Sequence, residues 1–311
     1  MTQRERQILQ WIEQDPMISQ EALAEKAGIT RSSVAVHISN LIKKGYIIGK
    51  GYVLRSGTYA AVVGGVNMDI GGQSDGPLVP GDSNPGRVRI SLGGVGRNIA
   101  HNMALLGLDV RFLTAFGDDL YAQRIAASCG ELGIDISQAL RVPGGSTSTY
   151  LYLNGPDGDM ALAVSDMDIC RKMTPQFLAS RLTLLKGAQL IVADANLPTE
   201  SLRFLADHGA APLFVDPVST VKAEKLRPIL GKIHTLKPNR MEAELLSGVA
   251  ITNEESLRQA AQVLLDTGLR RVFISLGSRG LFAADHRESL LLPCRPAAPV
   301  NATGAGDAFM A

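Results

Sequence analysis

The sequence predicts an α/β protein: a doubly wound, mostly parallel sheet with a small β lid, preceded by a small helical unit. Three observations carry this reading. Short apolar runs, Ala60-Ala61-Val62-Val63, Val110 to Leu113, Leu190 to Ala193, Leu213 to Val215 and Arg271 to Ile274, alternate with helical stretches at 98–106, 119–132 and 256–267. Residues 1 to about 56 read differently from the rest, opening with three helical stretches. One segment breaks the alternation: Ser146 to Leu153 and Met160 to Val164 are strand-like and flank the turn signal Asn154-Gly155-Pro156-Asp157-Gly158-Asp159. Arg87 to Leu92 is a third such strand, and these pieces predict a small sheet projecting over the site.

At 311 residues the chain exceeds the size at which one core stops growing, so two domains are expected, over 1–56 and 59–311. Apolar residues at 45% and charged residues at 20% exclude a disordered, fibrous or disulfide-scaffold class. Cys129, Cys170 and Cys294 lie far apart and form no C-x-x-C pair, so neither a disulfide framework nor a zinc site is signalled. The N-terminus lacks the apolar run of a signal peptide, and no apolar segment reaches the roughly 18 to 20 residues that span a bilayer. The expected location is the cytoplasm, with no membrane partner.

Taken in order, Ile8, Leu9 and Ile12 mark a first helix ending near Asp15-Pro16. Ser19 caps a second, with Gly28 at its turn. A third starts at the Thr30 cap and runs to about Lys44, with Val34, Ile38 and Leu41 on one stripe. Tyr46-Ile47-Ile48 and Tyr52-Val53-Leu54 around Gly49-Lys50-Gly51 read as a hairpin. Together these elements resemble a winged helix-turn-helix DNA-binding domain. Residues 1–57 hold eight Lys or Arg against five Asp or Glu, a charge of +3, leaving −2 for the remainder. Arg31, Ser32, Ser33 and His37 point away from the apolar stripe, where a recognition helix meets bases and phosphates. The competing reading makes them solvated residues of a dimerisation or docking domain. Two-fold operator geometry favours a homodimer.

In a parallel sheet, ligands bind beyond the carboxyl ends of the strands, which brings Asn67, Asp69, Asp194, Asp216, Asn239 and Gly277 to one rim. Near the end of the chain, Gly304-Ala305-Gly306 precede Asp307-Ala308-Phe309-Met310. A Gly-rich turn opening a helix offers unpaired N–H groups and the positive dipole end to developing negative charge. Asp307 beside it is placed to take a proton from an attacking hydroxyl. On its own the tetrapeptide is equally an ordinary helix-opening turn.

Other motifs occur with it in a telling order. Asn301-Ala302-Thr303-Gly304-Ala305-Gly306-Asp307 resembles the anion hole and catalytic base of the ribokinase (PfkB) family, and the resemblance covers about residues 59–311. It implies a ribokinase-like fold that transfers phosphoryl from ATP to an alcohol, with Thr303 on the nucleotide side. Gly93-Gly94-Val95-Gly96-Arg97-Asn98 resembles the family's first signature, implying that Gly93 and Gly94 let the backbone approach the sugar and that Asn98 reaches a hydroxyl. Gly65-Val66-Asn67-Met68-Asp69 resembles the end of its first strand, implying Asn67 and Asp69 as hydroxyl ligands. Lys237-Pro238-Asn239-Arg240-Met241-Glu242 resembles its N-x-x-E motif, implying that Asn239 and Glu242 organise Mg2+ through water. Ser275-Leu276-Gly277-Ser278-Arg279-Gly280 resembles the loop packed against ATP, implying Ser275, Gly277 and Gly280 as nucleotide contacts. There is no G-x-x-x-x-G-K-S/T, so the chain is not a P-loop enzyme.

Within the family, Val192 to Asn196, Phe214 to Ser219 and Ile233 to Arg240 are similar to the pseudouridine-kinase branch, implying phosphorylation of the nucleoside's 5′-hydroxyl. Ser148-Thr149-Tyr150 and Ser165-Asp166-Met167 are similar too, implying Thr149 and Asp166 as nucleoside contacts. Many members carry Asp where this chain has Asn301, and that Asp helps bind a monovalent cation, so such activation stays open here. The family's helix after the base continues into further helices, whereas this chain stops four residues after Asp307, implying a partial product of low activity. Two alternatives stand beside a pseudouridine kinase: a nucleoside- or sugar-responsive transcriptional regulator with a kinase-like sensor, and a kinase for another nucleoside or a free sugar.

Overall fold

The computed structural model describes residues 1–47, 58–295 and 304–311. The chain divides into two compact units, Met1–Thr58 and Tyr59–Ala311. The first holds α1 (Gln3–Gln14), α2 (Gln20–Ala27) and α3 (Arg31–Lys43). Hydroxyl caps start all three: the side chains of Thr2, Ser19 and Thr30 accept the N–H of Glu5, Ala22 and Ser33. Ile8, Ile12, Leu23, Val34, Ile38 and Leu41 meet in a small apolar core. Residues 48–54 of the expected hairpin lie outside the described residues.

A buried charge closes this core. The Glu5 side chain is 2% exposed, and the Lys44 ammonium donates to it at 2.8 Å, tying the start of α1 to the end of α3. Glu5 also completes the capping box by accepting the Thr2 N–H.

In the second unit the strands are β1 (Tyr59–Val63), β2 (Asn67–Ser74), β3 (Gly86–Gly93), β4 (Asp109–Leu113), β5 (Ala115–Phe116), β6 (Leu140–Arg141), β7 (Thr149–Asn154) and β8 (Met160–Asp166). They continue with β9 (Leu190–Asp194), β10 (Leu213–Asp216), β11 (Thr235–Leu236), β12 (Arg271–Ser275), β13 (Leu281–Asp285) and β14 (Ser289–Leu292). The helices between them are α4 (Val95–Leu105), α5 (Leu120–Glu131), α6 (Pro175–Ala179), α7 (Leu182–Gly187), α8 (Thr199–His208), α9 (Thr220–Ala223), α10 (Arg240–Ser247), α11 (Glu254–Asp266) and α12 (Ala305–Met310).

The main sheet runs β14-β13-β12-β11-β10-β9-β1-β4. Its β4-to-β12 part is parallel, and β13 and β14 extend it as antiparallel hairpins. Along β1, Ala61 and Val63 enter one apolar layer with Ile191, Val215 and Phe282, while Ala60 and Val62 enter another with Ile99, Met103 and Phe112. Burial on both faces is why the parallel strands read as unbroken apolar runs.

A second sheet, β3-β2-β7-β8, forms the lid. The sequence reading put Asn67 and Asp69 at the end of the first strand, whereas they open β2, which belongs to this other sheet. Gly71 and Gly72 hide that strand, because they remove the alternating side chains that mark one. The Tyr152 ring across the β2–β7 pair fills the space that a Cβ on Gly71 would take. Alternation sorts the lid into two faces. Ile90, Leu151, Leu153, Leu162 and Val164 lie on one and are exposed. Asp69, Gln73, Arg87, Arg89, Tyr150 and Tyr152 share the other.

The Lys44 hydrogen bond holds the Glu5 carboxyl at about 2, against an ordinary 4.5. A depressed acid stabilises the fold above its unfolded value, and that contribution is lost as pH falls from about 4.5 toward 2. Trp11, the chain's one tryptophan, lies in α1 and reports this unit. Its fluorescence-detected thermal midpoint is expected to drop across that pH window. Glu5→Gln is expected to lower the midpoint at pH 7 and to flatten the dependence; an unchanged acid profile in the variant refutes the assignment.

Candidate active site

The carboxyl ends of β9 and β10 stand side by side, with Asp194 paired to Asp216 in the register. Asp194 is fully buried and accepts N–H from Gly65 at 2.8 Å and from Asn196 at 2.9 Å. Burial pushes its carboxyl up to about 6. A side chain at Gly64 would collide with this carboxylate, and one at Gly96 with the Gly64 backbone, so the turn after β1 and the first turn of α4 pack closely beside it. The Arg97 N–H then bonds the Gly65 carbonyl at 3.2 Å, joining the two.

From this junction β2 leaves and β3 returns. The Asn67 amide donates to Asp69 Oδ1 at 2.6 Å, fixing the half-buried Asp69 carboxylate, whose pKa is raised by burial. A Cβ on Gly93 would overlap that carboxylate, and one on Gly94 would lie 2.5 Å from Val66 Cα at a φ of 98°. The glycine pair thus admits protein neighbours, Asp69 and the 65–67 backbone, where the sequence reading had it admitting a sugar.

Asn98, one turn into α4, donates through Nδ2 to Asp307 Oδ2 at 2.8 Å. Sequence reasoning gave Asn98 a substrate hydroxyl; in this structure it orients the carboxylate of the expected base. Burial raises the Asp307 pKa, and the nearby Asp216 and Asp69 push the same way. Asp307 belongs to the six-residue α12, too short to persist alone. Packing holds it: Met310 joins the layer of Ile99, Met103 and Phe112, and Phe309 meets Phe273 edge-on at 5.9 Å between centroids. Gly304 is left-handed at φ 80°, and the N–H groups of Ala305, Gly306 and Asp307 precede the helix's first bond, Ala308 to Gly304. Asn301 and Thr303 lie outside the described residues.

Across the rim, Asn239 caps α10 and forms a reciprocal pair with Glu242: Glu242 N–H donates to Asn239 Oδ1 at 2.9 Å and Asn239 N–H to Glu242 Oε2 at 2.8 Å. Glu242 is buried, which raises its pKa, and its Oε1 makes no hydrogen bond among the described residues. Among the described residues no three His, Cys, Asp or Glu converge as a metal cluster. Ser275 and Gly277 line a cavity of about 260 Å3 together with Asn239, Arg240, Met241 and Arg279. The last three escaped sequence reasoning, since an exposed Arg or Met beside a motif carries no signal. Gly280 lies outside that lining: it sits at φ 99°, and any side chain would overlap the Leu292 carbonyl, so it serves the β13–β14 corner.

Thr149 and Asp166 pair across β7 and β8, in the row of Met68. That row alternates with the row of Asp69, Tyr150 and Ser165, so the structure puts Thr149 and Asp166 on the side of the lid away from Asp69. In the first unit, Arg31 pairs with Glu21 at 2.9 Å, and Ser32 and Ser33 both bond Thr30 Oγ1 at 2.9 Å. His37 is half-buried on the same helix.

Gly94→Ala is expected to cost at least about 2 kcal/mol, from the left-handed backbone and the clash with Val66 together. Gly76→Ala, with open space around it, is the control. Equal thermal midpoints for the two variants would contradict the close approach.

Comparison with known proteins agrees with this arrangement. The family model described as pfkB family carbohydrate kinase matches residues 58–311, and that of a winged helix-turn-helix DNA-binding domain matches residues 1–48. An uncharacterized sugar kinase of Escherichia coli K12, YeiI, is 41% identical over 315 residues, covering 100% of this chain and 86% of its own. The pseudouridine kinase of the same organism is 41% identical over 260 residues, covering 83% of each chain. Among solved structures, a carbohydrate kinase from Agrobacterium tumefaciens is 28% identical with a TM-score of 0.66 over 75% of each chain. Ribokinase from Thermotoga maritima, at 23% identity, shares the fold with a TM-score of 0.73 over 81% of this chain and 82% of its own. With its mostly parallel sheet, projecting lid and rim of Asp69, Glu242 and Asp307, the chain belongs to the pfkB family of carbohydrate kinases.

Proposed function

We propose that the Tyr59–Ala311 unit transfers the γ-phosphoryl group of Mg·ATP to a hydroxyl of a nucleoside, with the 5′-hydroxyl of pseudouridine as acceptor. The observation that carries this reading is the Asn98–Asp307 pair: a carboxylate of raised proton affinity, aimed by an amide, beside the open N–H groups of the Gly304–Gly306 turn. The 41% identity to a pseudouridine kinase supports the acceptor. So does a cavity of about 450 Å3 that continues the Asp69 face of the lid past Gly71, Gln73, Arg89 and Tyr152, giving a base somewhere to lie beyond the sugar.

In this mechanism Asn67 and Gly93 hold Asp69 so that its carboxylate accepts the sugar hydroxyls. The attacking hydroxyl gives its proton to Asp307 as its oxygen bonds phosphorus. The bond from phosphorus to the bridging oxygen breaks, and that electron pair leaves on ADP. The N–H groups of Ala305 and Gly306 stabilise charge on the transferring oxygens. Glu242, whose Oε1 makes no hydrogen bond among the described residues, would hold Mg2+ through water, together with Asn239, whose side-chain oxygen already caps α10. When bound, the ion neutralises phosphate charge. Ser275 and Gly277, on the cavity beside Asn239, face the nucleotide side. The cytoplasm, where ATP is available, is the proposed compartment.

For the first unit we propose DNA binding as a homodimer through the α3 surface that carries Arg31, Ser32, Ser33 and His37. The family-model match supports it. A mobility shift on upstream DNA that appears or disappears with pseudouridine would make the chain a ligand-responsive regulator; a shift indifferent to the nucleoside leaves DNA binding without sensing.

Incubation with Mg·ATP and a panel of pseudouridine, other nucleosides and ribose is expected to phosphorylate pseudouridine best; no product from any of them defeats the proposal. Asp307→Asn is expected to lower kcat by about 10²–10⁴-fold while acceptor affinity stays within about threefold. Because Asp307 must be ionised to accept a proton and its pKa is raised, the acid limb of kcat/KM is expected above the ordinary aspartate range of about 3.9.

A further inference from the structure

We propose that Lys237 is the cation that meets the transferred phosphoryl group, and that Asp216 is the positioning residue that holds Lys237 until nucleotide arrives. This rests on the kinase reading above. Lys237 follows β11, and its N–H bonds the Val215 carbonyl at 3.1 Å, prolonging the ladder with β10 and sending the chain inward at the rim. Its Nζ lies 3.0 Å from Asp216 Oδ2, and both side chains are only 6% exposed. Lysine is almost never buried this far, and a buried ion pair is no more stabilising than an apolar pair of the same size. Stability therefore does not account for the pair.

Position does. A Cβ built on Gly306 would lie 3.2 Å from Lys237 Nζ, so the ammonium abuts the Gly304–Gly306 turn, and the missing side chain keeps the space beside it open. The charges of Lys237 and Asp216 act on both Asp307 and Glu242, in opposite senses. The ammonium thus stands beside the Gly304–Gly306 turn, close enough for its charge to act both on the carboxylate that takes the proton and on the one on the nucleotide side. Among the described residues, Lys237 is the one cation that acts on both. Asp69, Asp216, Glu242 and Asp307 leave the rim strongly acidic, and a triphosphate entering it needs a cation at that point.

With nucleotide bound, Nζ shares its three N–H donors between Asp216 and a non-bridging oxygen of the γ-phosphoryl group. No bond to lysine forms or breaks. Its hydrogen bonds tighten as charge spreads over the equatorial oxygens.

The test compares wild type, Lys237→Met, Lys237→Arg and the double variant Lys237→Met/Asp216→Asn, all in the full chain. Calorimetry measures binding of Mg·ADP and of Mg·adenylyl-imidodiphosphate, and turnover is read with pseudouridine. Lys237→Met is expected to bind ADP within about threefold of wild type, to lose the preference for the triphosphate analogue, and to turn over roughly 10²–10³-fold more slowly. Lys237→Arg is expected to recover part of the rate. The double variant, which leaves no unpaired buried charge, is expected to keep the wild-type thermal midpoint and the low rate. Turnover within threefold of wild type in Lys237→Met, recovery in the double variant, or equal weakening of ADP and analogue overturns the inference and leaves the kinase reading standing. A wild type that binds neither nucleotide overturns both. The binding arm decides the role of Lys237 whichever acceptor the enzyme uses.

Discussion

One carboxylate organises the centre of the larger unit. Asp194, sealed from water at the end of β9, occupies the space a side chain on Gly64 would take, and Gly65 and Asn196 supply it with N–H donors. Burying an acid is costly unless it is hydrogen-bonded, and its pKa of about 6 records that cost. The geometry it enforces is the return. It pins the turn after β1 to the start of α4, and that pinning sets where β2 departs, where Gly94 re-enters and where Asn98 faces. Asp69, Asn98 and, through Asn98, Asp307 inherit their positions from it.

Much of this was legible because parallel strands buried on both faces are plain in sequence. Ala60–Val63 and Leu190–Ala193 are continuous apolar runs, and the helix caps at Ser19 and Thr30 are visible as residue types, whereas the Thr2 cap was found only in the structure. β2 was not, because its glycines serve neighbours across the sheet rather than the strand's own pattern. Asp307, Asp69, Asn239 and Glu242 were found by motif, but the protein groups standing against them were not: Asn98 donates to Asp307, and Gly93 leaves room for the Asp69 carboxylate. Motifs identify which residues matter; only distances say to whom they matter. Lys237 lies within the N-x-x-E segment without a signal of its own, since burial cannot be seen in a string of letters.

Charge is distributed economically across the rim. The acids that bind hydroxyls, accept a proton and face the nucleotide side would repel one another if left bare, and each is held by a neutral donor: Asn67 for Asp69, Asn98 for Asp307, the Asn239 N–H for Glu242. Amides fix geometry without cancelling charge, so the carboxylates keep their raised proton affinities. Asp216 alone is met by a full cation.

The lid is sewn to the body by four strand ends. β2 and β3 cross at Val66 and at Gly93-Gly94, while β7 and β8 cross at Ser148 and Met167, and the parallel β2–β7 pairing locks the two hairpins together. Any rotation of the lid must therefore be shared among all four crossings at once. Gly94 is the crossing where two backbones approach too closely for a side chain, and Ser148 is a crossing that is wholly buried. Asp69, two residues into β2, lies close to this seam, whereas the turn between β7 and β8 lies farthest from it along the strands.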